Sequence, residues 1–573
     1  MGFTGMSDVF FHFFNRESNG RVYEAEPAKK SRRARGSGVS RVLISLAVTA
    51  VFGAVYFYFE LPAINLHDKS FYTFALALCA VWTVCMVFLR GSRPAGTNFV
   101  KYNLKTLPTV WIAAVIIAVS LVGGISGWVI FRANAYSELL KTEDGDFGRE
   151  VAEISWDQIP MLDSASANNL ANRKLGELSD LVSQFTVDSS SAQINFNGRP
   201  VRVIFLNYGS VFKWWNNRAD GIPAYMIVDM VTQEVSVVRL DEGMKYSPSE
   251  FFNRNLERHL RLKYPFRMFE DVNFEIDEAG TPWWVASVVE KKIGLFGGRD
   301  IVGAVLVNAV TGETRYYGIE EVPTWVDRVY SAELLIEQYD YYGVYHNGFW
   351  NSLFGQKGCT ETTDGYNYIA QDDDVWLYTG ITSVSDDRGN IGFVLVNQRT
   401  KEARYYSCAG AEEYSAMSSA EGAVQQYEYA ATFPLLLNIE EQPTYFMSLK
   451  DAAGLVKMYA LVNVQQYQIV AVGSSVSECV RSYETQLLQS GIVSGEEVPS
   501  ATRELSGAVE EVRSNVIDGN TCYYIRISGS DAFFSVYAKA CPEAVTLDPG
   551  DRVTVTYYES PNAIISAETL VIG

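Results

Sequence analysis

Three apolar runs dominate the first quarter of the chain. Val42–Phe59, Phe71–Leu89 and Val110–Phe131 each pass without a charged side chain. At about 1.5 Å rise per residue, roughly 20 residues cross a bilayer core, so the pattern predicts three transmembrane helices within 42–131. Beyond Phe131 the period changes. Ala171, Leu175, Leu178, Val182 and Phe185 recur at helical spacing and predict a helix over 167–185. "SPSE" at 247–250 predicts a second over 247–264, with Ser247 as cap, Pro248 at the first helical position, Glu250 completing a capping box, and Phe252, Leu256 and Leu260 as its packed face. Further helices are expected within 324–342, from near Ser418 with Glu421 as partner, and after Ser475 with Glu478. The last carries Val476, Cys479, Val480, Tyr483 and Leu487 on one face.

Between these helices the chain alternates as strands do. "GAVLVNAVTGETRYYGI" at 303–319 reads as two strands hinged at a turn, and echoes of it place Asp229, Asn308, Asn397 and Asn463 in equivalent positions, 79, 89 and 66 residues apart. In the first three a Thr and then a Glu follow at fixed offsets. An Asx residue leaving a strand bonds its own backbone two residues on, and Gly312 supplies a left-handed residue without steric cost. The array is thus a helix followed by antiparallel strands, about four times over 163–489, stacked because one copy covers only one face of its sheet. A linker, 490–504, precedes five strand-like segments in 505–573, with a break after the third. Together these readings predict a membrane-anchored α+β protein: a cytoplasmic N-terminus (1–41), three transmembrane helices (42–131), a juxtamembrane linker (132–162), tandem helix-plus-antiparallel-sheet repeats, and a small C-terminal β-barrel.

Charge then sets orientation. Residues 1–131 hold 13 Lys/Arg against 6 Asp/Glu, and the remainder holds 34 against 61. Basic residues cluster before the first run (Lys29, Lys30, Arg32, Arg33, Arg35, Arg41) and between the second and third (Arg90, Arg93, Lys101, Lys105), whereas only Lys69 lies between the first and second. The positive-inside rule therefore puts the N-terminus in the cytoplasm and everything after Phe131 outside. No Asn-x-Ser/Thr sequon occurs in the outside part, which favours a bacterial plasma membrane. The odd cysteines outside permit one bridge, Cys522 to Cys541, without demanding it.

"VLVNAVTGETRYY", following a helix and an earlier strand, resembles the PepSY family, bacterial envelope modules that pair a helix with a small antiparallel sheet and show a V-[DN]-A-x-T-G-E hairpin. The resemblance implies restraint of a peptidase or modulation of the local surface. The five C-terminal segments resemble an OB-type barrel. Nucleic acid is not expected there, because four basic residues (Arg513, Arg526, Lys539, Arg552) face an acidic excess.

Candidate chemistry is sparse. Four histidines lack ligand spacing, no nucleophile elbow or phosphate loop occurs, and the acidic turns Asp372–Asp374 and Asp386–Asn390 lack EF-hand spacing. No catalytic residue, cofactor or metal is expected. Two features suggest contacts. Arg254, Arg258 and Arg261 form a basic stripe opposite the packed face of helix 247–264, predicting contact with lipid headgroups, wall polymer or an acidic partner, with a solvated face as the plainer reading. Gly123 and Gly127 form a small-xxx-small pattern for transmembrane packing, against the chain's own spans or as a homo-oligomer seam. The sequence thus reads as a non-enzymatic binding, scaffolding or regulatory protein of the cell envelope, with lipid bilayer, an envelope protein or wall polymer as partners. The alternatives are a cell-wall-acting enzyme, which requires a deep pocket where raised carboxylates converge, and an accessory subunit of a transport or secretion complex.

Overall fold

The computed structural model describes residues 38–90, 108–153, 159–371, 373–384, 389–493, 503–517, 520–538, 541–557 and 564–573. They form two units. One comprises the chain up to Arg132 with Tyr246–Glu270 and Val288–Asp300; the other comprises Ala133–Lys245, Asp271–Ser287 and Ile301–Gly573.

In the first unit, α1 (Gly38–Glu60), α2 (Lys69–Arg90) and α3 (Pro108–Ser126) are long and apolar enough to cross a membrane. At most 11% of each apolar window is buried by protein, so most of that surface is left for lipid. Tyr56 and Phe74 bring α1 onto α2, ring centroids 5.4 Å apart. Thr83 and Thr109 join α2 to α3 through their hydroxyls at 2.8 Å, a bond that hydrocarbon surroundings favour. Helix α4 (Val129–Ser137) continues the chain and is kinked at Arg132, whose φ of −130° is not helical.

The second unit holds most of the strands. β1 (Glu143–Gly145), α5 (Phe147–Glu150) and α6 (Ser164–Glu177) come first. Then β2 (Phe185–Val187), β3 (Ala192–Phe196), β4 (Arg199–Ile204), β5 (Leu206–Tyr208), α7 (Val211–Asn217), β6 (Ile222–Asp229) and β7 (Val235–Met244) make a β3-β4-β6-β7 antiparallel sheet and a β2-β5 pair. After α8 (Leu256–Lys263), strands β8 (Met268–Ile276), β9 (Pro282–Ile293), β10 (Gly297–Asn308) and β11 (Thr314–Gly318) form a sheet in the order β11-β10-β9-β8, parts of which belong to each unit. Helix α9 (Ala332–Tyr345) leads to β12 (Thr360–Thr362), β13 (Asn367–Gln371), β14 (Asp374–Ser383), β15 (Gly389–Asn397) and β16 (Ala403–Ala411), ordered β16-β15-β14-β12 with β13 also on β14. Helix α10 (Glu413–Ala423) precedes β17 (Ala430–Ala431), β18 (Leu435–Ile439), β19 (Gln442–Lys450), β20 (Val456–Asn463) and β21 (Val470–Gly473), and α11 (Val476–Gln489) follows them. Last, β22 (Arg503–Ile517), β23 (Asn520–Ile527), β24 (Phe533–Tyr537), β25 (Arg552–Tyr557) and β26 (Ile564–Ile572) close in the order β22-β23-β24-β26-β25, with β24 and β26 parallel.

One apolar core runs between the third and fourth sheets. Phe393, Tyr406, Leu436, Tyr445 and Leu461 meet Ala416 and Ala420 of α10 and Cys479, Val480, Tyr483 and Leu487 of α11. The closed sheet has its own core around Ile525, Phe534 and Val555. The expected linker over 132–162 is partly built into the fold. β1 pairs parallel to β16, Phe147 is buried, and Asn438 Nδ2 donates to Val151 O at 2.7 Å. Of 490–504, residues 494–502 lie outside the described residues.

Local chemistry moved three helix boundaries. The first expected helix spans Ser164–Glu177: Asp163 caps its start through Ser166 N–H, and it ends where Leu178 becomes extended and the chain turns toward β2. Ser247 caps nothing: its carbonyl accepts Glu250 N–H and Leu256 N–H in a closed loop, Phe252 takes a φ of +54°, and the helix starts only after Asn255, whose Oδ1 accepts Arg258 N–H. Helix α10 starts at Glu413 rather than Ser418, and Glu421 accepts Ala431 N–H from outside the helix. At α11 the expected cap is present: Ser475 Oγ accepts Glu478 N–H, while the Glu478 carboxylate reaches back to Ser474.

Three of the four hairpins share one turn, and the fourth keeps part of it. Asp229 Oδ1 accepts the N–H groups of Val231 and Thr232, Asn308 Oδ1 those of Val310 and Thr311, and Asn397 Oδ1 those of Arg399 and Thr400, all between 2.8 and 3.0 Å. The Thr hydroxyls of 232, 311 and 400 then accept the N–H of the following Glu. Asn463 keeps a single such bond, to Gln466 N–H. At the left-handed position stand Gln233 (φ +62°), Gly312 (φ +73°) and Lys401 (φ +68°).

Candidate functional site

The first unit contains a collar at the end of the spans where α1 finishes and α2 begins. A helix ending in apolar surroundings leaves carbonyls without partners. Here α8 supplies them. Arg258 Nε donates to Tyr58 O at 3.1 Å, its guanidinium 4.3 Å from the Tyr58 ring centroid, and Arg258 Nη1 donates to Phe252 O at 2.7 Å. Arg261 Nε donates to Leu61 O at 2.9 Å and Arg261 Nη1 to Arg267 O at 2.5 Å. A cation at a helix C-terminus also suits the macrodipole. Ile64 N–H then donates to Pro265 O and Asn65 Nδ2 to Phe266 O, fastening the chain beyond α1 to the segment after α8.

The basic stripe is therefore not a uniformly exposed face. Arg261 is buried, and Arg254 and Arg258 are half-buried. The helix is shorter than expected, so Phe252 leaves the packed face while Leu256 and Leu260 remain on it. Sequence reasoning missed the partners, Tyr58 and Leu61, because a backbone carbonyl carries no residue signature.

Gly123 and Gly127 meet the β9–β10 hairpin tip rather than another span. A Cβ at Gly123 would come within 2.2 Å of Leu295, and one at Gly127 within 3.2 Å of Ile293 O and 3.4 Å of Gly297 N. The small residues do admit a close neighbour, but it is a β-turn. An open, nearly apolar cavity of about 530 Å³ lies beside them, lined by Ala118, Val119, Val122, Ser126 and Leu295. On the tip's other flank, Phe296 stacks edge-on against Tyr72, 5.5 Å between centroids, and His67 Nδ1 bonds Leu295 O at 2.9 Å. Here a second cavity of about 320 Å³ is lined by Lys69, Lys291, Arg299 and Glu270, with Arg299 and Glu270 paired. The signal for this seam was Leu295-Phe296 itself, two large apolar residues in a glycine-rich turn.

In the second unit the notable groups are buried carboxyls. Glu275 accepts Asp327 N–H (2.9 Å) and Arg328 N–H (3.2 Å), and Asp327 Oδ2 accepts Asn195 N–H at 2.7 Å. Burial pushes Glu275 up to about 7, against those two donors. Burial and the Glu275 charge push Asp327 well above the usual carboxylate range. Both oxygens of Glu275 thus take N–H donors and one oxygen of Asp327 does, while burial favours the neutral form of each carboxyl. Beside them Asp374 takes two bonds from Arg399, both 2.7 Å, and one from Asn397 Nδ2. Burial also raises Asp340 to about 6 and Glu413 to about 7. None of these four carboxyls lines the cavities above. Alternation hid Glu275, since it points away from Phe274 and Ile276 onto a face that the segment around Asp327 covers.

Other expectations resolve simply. Cys522 and Cys541 are both free thiols. Cys359 Sγ donates to Val344 O, while His346 Nδ1 bonds Tyr342 O and Gly343 O. Asp373 accepts a bond from Asn195 Nδ2 and Asn390 serves Ile381 N–H; Asp372 and residues 385–388 lie outside the described residues. Among the described residues no group of three or more His, Cys, Asp and Glu converges as metal ligands would. No known protein family matches the chain, and no curated protein is similar to it.

Proposed function

We propose that this chain is a multi-pass protein of the bacterial plasma membrane, N-terminus cytoplasmic, whose sheet-rich part is a non-enzymatic binding, scaffolding or regulatory surface outside the cell. One observation carries the reading: several of the groups suited to chemistry are spent on structure. Arg258 and Arg261 serve carbonyls at the end of α1, Glu275 serves two backbone N–H groups, and Arg399 is committed to Asp374. The shared Asx turn at 229, 308, 397 and 463 supports reading the sheets as PepSY-like modules, and the Greek-key closure of β22–β26 supports an OB-like barrel. Fold analogy alone does not supply a ligand.

The proposed partner is an envelope protein or wall polymer, with self-association into a homo-oligomer as a further element. Of the basic stripe, Arg254 is the position whose change leaves the bonds from Arg258 and Arg261 to the end of α1 in place. Reporter fusions at the C-terminus that read as extracytoplasmic, together with a defined partner co-purifying in mild detergent and lost in Arg254→Glu or in surface variants of the sheets, are the expected results. A cytoplasmic C-terminus, or hydrolysis of wall polymer by the purified chain, would overturn the reading.

A further inference from the structure

The segment that follows the Ser247 loop has an exposed apolar edge with a defined level. Phe252 and Phe266 are 64% and 66% exposed, and Phe251 and Leu262 are exposed beside them. A bulky residue at φ +54° is an uncommon and strained conformation, yet Phe252 holds it and points outward. Hydrogen bonds fix the height of this edge against α1. Arg258 ties Phe252 O to Tyr58 O, two residues before the last residue of α1, and Asn65 holds Phe266 O five residues beyond it. Phe59, on the same turn as Tyr58, is itself 69% exposed on a helix long and apolar enough to cross a membrane. The edge is therefore held beside the end of α1, where Phe59 is also exposed.

The charges agree with that position. Residues 246–270 hold five Lys/Arg (Arg254, Arg258, Arg261, Lys263, Arg267) against three Asp/Glu, within a region after Phe131 that is otherwise strongly acidic. Basic residues alternating with Phe and Leu are the pattern of a segment lying in the headgroup layer, its aromatic rings at the acyl boundary and its cations among phosphates.

We infer that residues 251–266 form a second, non-spanning membrane element: Phe251, Phe252, Leu262 and Phe266 enter the interfacial layer of the bilayer at the end of the spans where α1 finishes. This rests on the membrane-anchored reading, and the test separates the two. The full chain would be placed in vesicles of phosphatidylethanolamine and phosphatidylglycerol with p-benzoylphenylalanine at 252, 262 or 266, and at 59 as the reference. After irradiation, lipid adducts would be measured by mass. Adducts at 252 and 266 within about threefold of that at 59 are expected for interfacial burial. An adduct at 59 with only unirradiated background at 252, 262 and 266 overturns the inference and leaves the anchor standing. Absence at 59 as well overturns both. Benzoylphenylalanine keeps the aromatic ring at 59, 252 and 266 and replaces an exposed leucine at 262; a melting profile matching the parent's confirms folding for each variant.

Discussion

Arg258 donates its Nε–H to the carbonyl oxygen of Tyr58, joining positions 200 residues apart. One guanidinium thereby serves a helix end, an aromatic face and the strained turn at Phe252 at once. Arg261 does the same work one turn later from a buried position.

Arg261→Met should therefore leave the Leu61 and Arg267 carbonyls without their donors. The expected cost is about 1–3 kcal/mol for each buried group. Thermal unfolding of the full chain in detergent measures it. Arg261→Lys should recover only part of the loss, because a single ammonium does not reproduce the planar fork. Equal melting temperatures for parent and Met variant would remove Arg261 from this role.

At the hairpin seam, Gly123→Val should displace the β9–β10 tip, since the first added atom already meets Leu295 within 2.2 Å. Leu295→Ala should restore only part of the lost stability, because it removes the outer Leu295 atoms but leaves its Cβ at 2.8 Å from the added atom. The double-mutant cycle is expected to show a coupling of about 1 kcal/mol or more, as for residues in direct contact. Additive effects would mean that the two residues do not touch.

The shared turn yields a sign reversal. Gly312→Ala should lower stability by roughly 1 kcal/mol, because alanine pays for the left-handed conformation that glycine holds freely. Gln233→Gly and Lys401→Gly relieve the same strain while adding freedom to the unfolded chain, so neither should lower the melting temperature as Gly312→Ala does. Three melting curves decide the matter.

For pH, the direction follows from the raised carboxyls. Glu275 and Asp327 hold protons in the folded state at pH values where the unfolded chain has released them. Their contribution to stability is thus present below the ordinary carboxylate range and is lost as pH rises through about 7. Asp327→Asn keeps an acceptor for Asn195 N–H and removes the titration. Its stability should fall less than the parent's between pH 5 and pH 8, followed by melting temperature across that range. Parallel curves would count against a raised Asp327 carboxyl.

The sequence made some of this legible and hid the rest for physical reasons. Charge-free length alone identified α1 to α3, and the Asx residue with its trailing Thr and Glu identified a turn that recurs in the structure. Local periodicity failed where the backbone closed on itself, as at Ser247 and Phe252, because a capping box and a looped Ser carbonyl look alike in one dimension. The stripe Arg254, Arg258, Arg261 was visible as charge, but its partners are carbonyl oxygens. Gly123 and Gly127 announced a close approach without saying what approaches, and Glu275 sat at the parity expected of solvent.

Leu295 also sets a clock. It is synthesised about 170 residues after Gly123, and at roughly 5–20 residues per second the ribosome needs on the order of ten seconds or more to deliver it. Throughout that interval the glycine notch of α3 is unfilled. Completion of this packing thus waits until about half of the chain has been made, and a chain truncated before the β9–β10 tip would leave the notch in α3 unfilled.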